Sequence, residues 1–408
     1  MNRNLTLLAA VLCAAPLAAQ QQTVVTTKSG LDKVELGGAL RFRAENRNPS
    51  LPVEGASTDS SYSGHARLHL GVDASADLSA FIEFQKVVNG QGTSSVDSLR
   101  AAWLNWSGLM DSTDVKVGRF QMKYGNQRMI SDLAWHNTGR AWDGAVVSHT
   151  ADSFKADLFW TEPVLGANGF AFPGITAGAT GVAFGGAYLE FDAGEMDIDV
   201  YALLRREQGI GEMGTRDITF GALLEGDINE DLSYSVEAAI QQGEHAALDA
   251  AGSAVALRLD WKAIDDLTLG VGFEQASGDG DATDNDDDSF KPLFDFAHAY
   301  HGTQDIFLTW TNMQDIVFRS SYNIDGNWKL LGDFHILSLA DQDGALPNAA
   351  LTKVAGQDEL GTEIDIAIKG SLATDTNLWA GVSLFSAGDA IALGDDQVWA
   401  FMNLSFWF

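Results

Sequence analysis

One stretch of the chain, 117–144, is dense in residues that could act on a charged solute. It contains Arg119, Arg128, Arg140 and Asp143 among Trp, Tyr, Asn and Gly residues. A charge at a constriction acts where water is scarce, so it weighs more on a passing ion than a charge in a wide vestibule. We predict that these residues line or brace the narrowest part of a pore and that Asp143 pairs with an arginine. A structural network that only pins the intervening loop is the alternative.

A second chemical candidate is an aspartate run, because hard cations such as calcium take clustered carboxylate ligands. The run consists of Asp279, Asp281, Asp284, Asp286, Asp287 and Asp288. Its sixth position is Asp284 where an EF-hand requires Gly, and its twelfth is Phe290 where Glu is expected. We therefore predict either a calcium site of another kind, formed by Asp279, Asp281, Asp284 and Asp286, or a solvated outer loop. No other cofactor is expected.

These residues belong to a chain in which many segments alternate between uncharged and charged or polar residues, with a period of two. From 34 to 44 the even positions carry no charge, whereas the odd positions include Arg41 and Arg43. The segments 196–204 and 364–368 alternate in the same way. Segments of about ten residues with one uncharged face are typical of tilted strands that cross an outer membrane. A soluble β-sandwich also alternates, but its strands are usually shorter, so the pattern favours an all-β, transmembrane antiparallel β-barrel.

The chain contains about 18 such segments. They are predicted near 34–46, 63–74, 77–88, 97–107, 113–122, 140–150, 153–161, 183–192, 196–206, 215–225, 232–242, 252–262, 267–276, 314–323, 327–337, 361–370, 377–386 and 397–408. Their connections alternate between short and long, which is typical of short periplasmic turns and long extracellular loops. A barrel of this size leaves an aqueous channel. The segment 303–311 also alternates, but we assign it to a long loop because a further strand would make the count odd.

The face opposite the uncharged one is rich in ionisable groups, which set charge selectivity in a channel. Outside the 117–144 stretch, the predicted pore-lining residues are Arg41, Arg43, Arg67, Arg100 and Arg258. Other ionisable residues predicted to point inward are Glu45, Glu83, Arg205, Glu237, Asp260, Asp333 and Lys369. Each could simply pair across the lumen. As a set they indicate a water-filled pore for a polar solute or polysaccharide.

The two ends of the chain indicate the compartment. A single basic residue precedes a short apolar stretch and several small residues, which is the pattern of a cleaved signal peptide over 1–19. We predict a short periplasmic segment over 20–33 and an outer-membrane barrel over 34–408. The last strand ends on Phe408. By resemblance to other barrels, we expect its ring to help the barrel assembly machinery recognise the chain.

Composition limits the partners. Of 408 residues, 25 are Lys or Arg and 56 are Asp or Glu, which gives a formal net charge of −31. A chain this acidic does not bind nucleic acid through its phosphates, so outer-membrane lipid and a polar solute are the expected partners. The one cysteine, Cys13, lies in the predicted signal peptide, so no disulfide or thiolate metal site is expected. Nothing in the sequence identifies a subunit interface.

Two other classes of function compete with a channel. The first is an outer-membrane barrel enzyme, because Ser289, His298 and His301 share one predicted loop. The chain contains neither a G-x-S-x-G nucleophile elbow nor an H-E-x-x-H zinc motif, so the sequence favours a protein that is not an enzyme. The second is a structural or adhesive barrel with a plugged lumen.

Two blocks of residues resemble one known family. The first block contains Gly118, Arg119, Tyr124, Gly125, Arg128, Trp135, Asn137, Gly139, Arg140, Asp143 and Gly144. The second contains Ala276 to Asp279, Ser289 to Phe294, His298, Gly302, Asp305 and Asn312 to Asp315. Together they resemble the alginate export family of outer-membrane porins, which implies a barrel of about eighteen strands. The family's best-known member exports an anionic polysaccharide through an arginine-rich pore. Alginate does not follow as the solute here, because this chain is strongly acidic.

Overall fold

The computed structural model describes residues 23–24, 33–89, 94–164, 180–208, 214–281 and 283–408. The predicted signal peptide lies outside these residues, and so does most of the predicted segment 20–33. No helix in the described part of the chain is long and apolar enough to cross a membrane. The one helical turn among these residues is Ala297–Ala299.

Eighteen of the 21 described strands form a closed antiparallel barrel, and the other three are only two or three residues long. The barrel strands are β1 (Lys33–Asn48), β2 (Asp59–Ser75), β3 (Leu78–Asn89), β4 (Ser94–Trp106), β5 (Thr113–Phe120), β6 (Trp142–Thr150), β7 (Phe154–Pro163), β8 (Thr180–Asp192), β9 (Met196–Gln208), β10 (Thr215–Asn229), β11 (Leu232–His245), β12 (Ser253–Ile264), β13 (Leu267–Ala276), β14 (Met313–Asp325), β15 (Trp328–Ser338), β16 (Glu359–Ala373), β17 (Thr376–Ala387) and β18 (Gln397–Trp407). Phe42 of β1 pairs with Leu404 of β18, which closes the ring. The predicted transmembrane barrel is confirmed.

Alternation along each strand separates an apolar outer face from a polar inner face. In β3, Phe84 and Val88 are exposed on the outside, whereas Gln85 and Val87 are buried inside. Leu257 in β12 is exposed on the outside in the same way. An apolar exterior over a closed ladder is what a bilayer requires, because no backbone group is left without a partner in lipid.

The connections alternate between short periplasmic turns and long extracellular loops, as predicted. Two of the loops are central to the site: the first inner loop (121–141) and the second inner loop (277–312). The segment 303–311 forms no strand and belongs to the second inner loop. The predicted strands 113–122 and 140–150 are both shorter than expected, because the chain leaves the sheet after Phe120 and returns to it at Trp142.

The largest apolar cluster lies inside the barrel. It joins wall residues such as Trp142 and Phe184 to Ile130 of the first inner loop and Phe294 of the second. Each of these side chains is fully buried, and burial of a large apolar side chain contributes roughly 1.5–3 kcal/mol. The cluster therefore holds both loops in the lumen.

Candidate functional site

The two inner loops meet across the lumen. Ile130 of the first forms a parallel bridge with Phe294 of the second. The Ser131 N–H donates to the Phe294 carbonyl at 2.8 Å, and the Phe294 N–H donates to the Met129 carbonyl at 2.9 Å. Because buried backbone groups need hydrogen-bond partners, this pairing allows both loops to enter the barrel as one layer.

Trp135 fixes the first inner loop to the barrel wall. Its ring stacks on His298 with a centroid separation of 4.0 Å, and the guanidinium carbon of Arg43 lies 3.5 Å from its ring centroid. Trp379 and Phe401 pack edge-on against it at 4.8 and 5.4 Å. A desolvated cation–π contact is worth about 2 kcal/mol, so this cluster contributes substantially to anchoring the loop.

The predicted arginines of β1 and β2 lie together on one side of the lumen and also hold this loop. Arg41 donates to the Ala134 carbonyl and to the Asn137 side chain, both at 2.8 Å. Arg43 and Arg67 each donate to a further carbonyl of the loop, at 2.6 and 3.5 Å. These arginines are therefore engaged with the backbone of the loop, and much of their cationic surface faces it.

The two other predicted arginines of the wall are paired with carboxylates. Arg100 lies 2.6 Å from Glu83 and 3.7 Å from Asp132 of the first inner loop. Arg258 of β12 binds Asp260, two residues along the same strand, at 2.7 Å. Pairing inside the lumen therefore offsets both cationic charges locally.

Arg128 and Arg140 brace the inner loops from within. They are buried, with 6% and 2% of their surfaces exposed. Arg128 forms a bidentate pair with Glu274 of β13 at 2.5 and 2.8 Å, and its guanidinium lies 3.6 Å from the centroid of the Tyr300 ring. Arg140 donates to two successive carbonyls of the second inner loop at 2.7 and 2.6 Å. This geometry supports the bracing role, and an effect of either charge on a solute stays a prediction.

Arg119 and Asp143 form a bidentate ion pair with both N–O distances at 2.7 Å, as the sequence predicted. Their neighbours Phe120 and Trp142 are paired in the sheet and buried in the lumen. Because successive residues of a strand point to opposite faces, Arg119 and Asp143 lie on the outer face of the barrel. Their placement contradicts the prediction that they line the pore.

Local hydrogen bonds engage several carboxylates of the aspartate run. Within the described residues, no three His, Cys, Asp or Glu side chains are arranged to hold a metal ion. The predicted ligands Asp279, Asp281 and Asp284 each accept a hydrogen bond from a backbone N–H two residues further along, at 3.0–3.1 Å. Such local turns satisfy the carboxylates without a metal. Calcium binding by this loop, with Asp286 as the fourth ligand, stays a prediction.

A stacked row of tyrosines inside the barrel was not predicted. Tyr124 of the first inner loop, Tyr188 and Tyr201 stack in order, with centroid separations of 4.7 and 5.5 Å. Their hydroxyls donate, in the same order, to Asp157, Asp199 and Glu237 at 2.9, 2.6 and 2.8 Å. Alternation could have indicated that Tyr188 and Tyr201 point inward. Their carboxylate partners depend on cross-strand register and on the path of the loop, which alternation does not reveal.

Gly125 lets the first inner loop pass close over this row. Its φ is +49°, a backbone conformation that other residues adopt at a cost. A Cβ at this position would lie 2.5 Å from the Tyr188 hydroxyl. The glycine of the Tyr124-Gly125 motif is therefore explained by close packing of the loop against the wall.

The lumen is acidic near the short turns that join β8 to β9, β10 to β11 and β12 to β13. A cavity of about 410 Å³ lies there, bounded by residues including Asp197, Glu225, Asp227, Asp260, Asn126, Arg128, Arg258 and Tyr300. Asp197 and Asp227 are exposed, and none of the ion pairs found among the described residues involves Asp197, Glu225 or Asp227. The two arginines of this cavity are engaged in the ion pairs described above. Its free charge is therefore negative.

Burial changes the pKa of several groups in the inner loops, among them Asp295 and His136. It raises the pKa of Asp295, whose surface is only 3% exposed, to about 6. Burial, with the added charges of Arg43 and Arg41, lowers the pKa of His136 to about 4. His136 is therefore neutral at neutral pH, which avoids a further positive charge beside the arginines of the wall.

The residues of the enzyme hypothesis are not assembled into a dyad. His298 pairs with Asp305 at 2.9 Å, and His301 lies 3.4 Å from Glu274. The N–H of Ser289 donates to Asp287 at 3.1 Å. Among the contacts of the described residues, neither histidine has Ser289 as a partner, whereas a nucleophilic serine requires a base within hydrogen-bond reach.

A closed barrel with an apolar exterior, a polar interior and inward-folded extracellular loops defines the chain as an outer-membrane channel. The family model for alginate export matches residues 32–404. The chain belongs to the alginate export family, as the two motif blocks indicated. A search of the curated proteins found no match.

Several solved structures share this fold. OccAB4 of Acinetobacter baumannii has a TM-score of 0.67 and 13% identity, over 94% of this chain and 100% of that one. OprD of Pseudomonas aeruginosa has a TM-score of 0.65 and 12% identity, over 93% and 95%. OccK11 (OpdR) of the same organism has a TM-score of 0.64 and 14% identity, over 92% and 96%. At these identities the likeness concerns the fold alone.

Proposed function

We propose that this outer-membrane channel passes small hydrophilic solutes, saccharides included, by diffusion and that it prefers cations to anions. The observation that carries the proposal is a contrast between two sides of the lumen. Asp197, Glu225 and Asp227 form no ion pair among the described residues, whereas the arginines of the opposite wall are engaged with loop carbonyls or carboxylates.

The physical basis is the local concentration of counter-ions. Carboxylates without partners in a cleft with low-dielectric walls attract cations and repel anions. An arginine that already donates to a carbonyl, as Arg43 does to Trp135 at 2.6 Å, has fewer donors left for an anion. The preference is largest at low salt, because the screening length is about 10 Å at 0.1 M and about 30 Å at 0.01 M.

A plugged barrel is the second candidate, and the bridge between Ile130 and Phe294 across the lumen favours it. An enzyme is less favoured, since no serine–histidine pair is formed among the described residues. An open pore conducts ions, whereas a plugged or purely enzymatic barrel does not, so conductance separates the channel from both alternatives.

The test is conductance of the full chain in a planar bilayer with a salt gradient. We expect discrete conductance steps and a reversal potential on the cation-selective side. Replacement of Asp197, Glu225 and Asp227 by the corresponding amides should move the reversal potential towards zero. Glu244→Gln is the matched control, because Glu244 is exposed on the outer face of β11, and it should leave the reversal potential unchanged.

Two results would contradict the proposal. A barrel that folds but does not conduct would support the plugged alternative. Anion selectivity in the wild type, with no change in the triple variant, would show that the arginines control permeation despite their partners.

A further inference from the structure

A groove runs along the outer face of β2, between β1 and β3. It has a volume of about 610 Å³, and its apolar lining is formed by Leu40, Ala66, Leu68, Phe84, Leu99 and Phe408. Lys86 and Asp97 border the same groove. It is separate from the lumen and takes no part in the proposed conduction.

The register explains why the wall is hollow here. Leu40, Ala66 and Lys86 are direct neighbours across β1, β2 and β3. Ala66 is small, and Gly64 lies two residues before it on the same face of β2, so the larger side chains on either side project beyond this part of the strand and leave a shallow depression. A Cβ on Gly64 would lie 2.2 Å from the Arg41 carbonyl oxygen, so a larger side chain at that position would require the strands to move apart.

Two ion pairs lie on the same outer face, towards its extracellular edge. Lys86 binds Asp97 at 2.8 Å, with 55% and 69% of their side chains exposed. The second is the Arg119–Asp143 pair. Arg119 also donates to the carbonyl of Leu99 at 2.9 Å, which places its guanidinium beside the groove.

Charges on the lipid face of a barrel are costly near the middle of the bilayer, and the cost falls towards the interfaces. Arg119 is the seventh residue of β5, which has 8 residues, and Asp143 is the second of β6, which has 9. A strand needs about 9–11 residues to cross the bilayer. The wall is therefore low at β5 and β6, and lipid headgroups can reach the Arg119–Asp143 pair. Lys86 is the ninth of the 12 residues of β3, so its ion pair also lies in the extracellular half of the wall.

We propose that this face binds one phosphorylated lipid of the outer leaflet, with an acyl chain in the groove and phosphate on Lys86 and Arg119. An ammonium has three N–H donors and a guanidinium has five, so each cation keeps donors beyond those its carboxylate and carbonyl partners use. The Asp97 carboxylate that binds Lys86 and the Leu99 carbonyl that binds Arg119 belong to residues two positions apart on β4, which is about 7 Å along the strand. A headgroup with two phosphates spans such a distance.

A lipid fits this surface better than a second copy of the chain. Two identical concave grooves placed face to face would leave a void between them and would bury the charges of both copies. Burial of such charges is unfavourable unless every hydrogen bond is met. A flexible acyl chain fills the concavity, and the phosphate stays in water beside the cations.

The experiment is native mass spectrometry of the purified full barrel, released from detergent in the presence of diphosphorylated lipid A. Dephosphorylated lipid A serves as the probe for the acyl contribution alone. We expect the wild type to retain one diphosphorylated molecule. The Lys86→Gln/Arg119→Gln variant should bind it roughly tenfold more weakly. Ala66→Leu, which fills the groove and leaves the charges in place, should weaken both probes.

The matched control is Arg206→Gln/Arg216→Gln, because these arginines are paired neighbours on the outer face of β9 and β10, away from the groove. This variant should bind like the wild type. Heat-modifiable gel migration checks that each variant is folded. If Ala66→Leu does not fold, the affinity of the Lys86→Gln/Arg119→Gln variant for diphosphorylated lipid A decides the test by itself. Equal affinity in the charge variant and the control would overturn the proposal, and so would dimers that disappear in Ala66→Leu.

Discussion

Arg128 offers the most direct test of the inner-loop arrangement. Its guanidinium is bidentate to Glu274 in a buried site, and Arg128→Gln would leave that carboxylate without its main partner. Breaking a buried ion pair by removing one partner costs about 3–5 kcal/mol. If the cost falls on docking of the first inner loop, the population of open loop rises by roughly 100- to 4,000-fold. The barrel itself should stay closed, because its ladder does not depend on this pair.

Hydrogen exchange measures that change. The Ser131 and Phe294 amides, which are bonded across the two loops, should exchange faster in Arg128→Gln by the same factor, whereas amides in β15 and β16 should not change. The double variant Arg128→Gln/Glu274→Gln should recover much of the protection, since no unpaired charge remains. Arg258→Gln, which breaks a pair with a 40% exposed arginine, is the control. Unchanged exchange of Ser131 and Phe294 in Arg128→Gln would refute the bracing role.

Other perturbations test the remaining assignments. Val200→Arg or Leu257→Arg, each on the lipid face, should cost about 2–4 kcal/mol near the midplane and impair folding into lipid by heat-modifiable migration. Arg258→Gln on the inner face should not, and equal folding of Val200→Arg would mean a wrong register. Deletion of Phe408 should lower the amount of protein in the outer membrane at native expression, and an unchanged amount would argue against assembly recognition by this residue. Burial raises the pKa of Asp295 from 3.8 to about 6, so stability present below pH 3.8 is lost as the pH rises through about 6. Asp295→Asn should remove this decline in the protection of the second inner loop, measured by hydrogen exchange across that range.

If Arg128 and Arg140 line the pore, as the sequence predicts, neutralising both should shift the reversal potential towards cations. Both side chains are buried and hold the loops, so we expect a larger and noisier conductance to accompany any such shift. Single-channel recording of Arg128→Gln/Arg140→Gln measures both quantities at once. Wild-type conductance and selectivity in a folded double variant would contradict both the pore-lining and the bracing assignments.

The barrel could be predicted from the sequence because a period of two expresses one physical requirement throughout the chain. Each strand needs an uncharged face towards lipid. In β1 the uncharged residues Leu40 and Phe42 alternate with Arg41 and Arg43, and this alternation is visible in the sequence. The inner loops could not be predicted in the same way. The bridge between Ile130 and Phe294 joins residues on loops far apart in sequence, and no periodicity relates them.

The error at Arg119 has a local cause. Val115, Val117 and Arg119 are every second residue of one strand, and the two valines are uncharged. This spacing indicates that Arg119 lies on the same, outer face. The arginine-rich motif suggested the opposite, because charges grouped in a motif were expected to act together in the pore. In the structure Arg128 and Arg140 enter the lumen with the loop, whereas Arg119 precedes the point at which the chain leaves the sheet.

Trp135 also has a bearing on how the ring is completed. The side chains that surround it come from opposite ends of the chain: Arg43 belongs to β1, and Phe401 and Trp399 belong to β18. The binding place for this indole therefore exists only after the first and last strands have joined. We therefore expect the loop to dock after the barrel closes and to cover the seam between β1 and β18 from the inside. A chain whose last strand has not yet paired would keep its interior open.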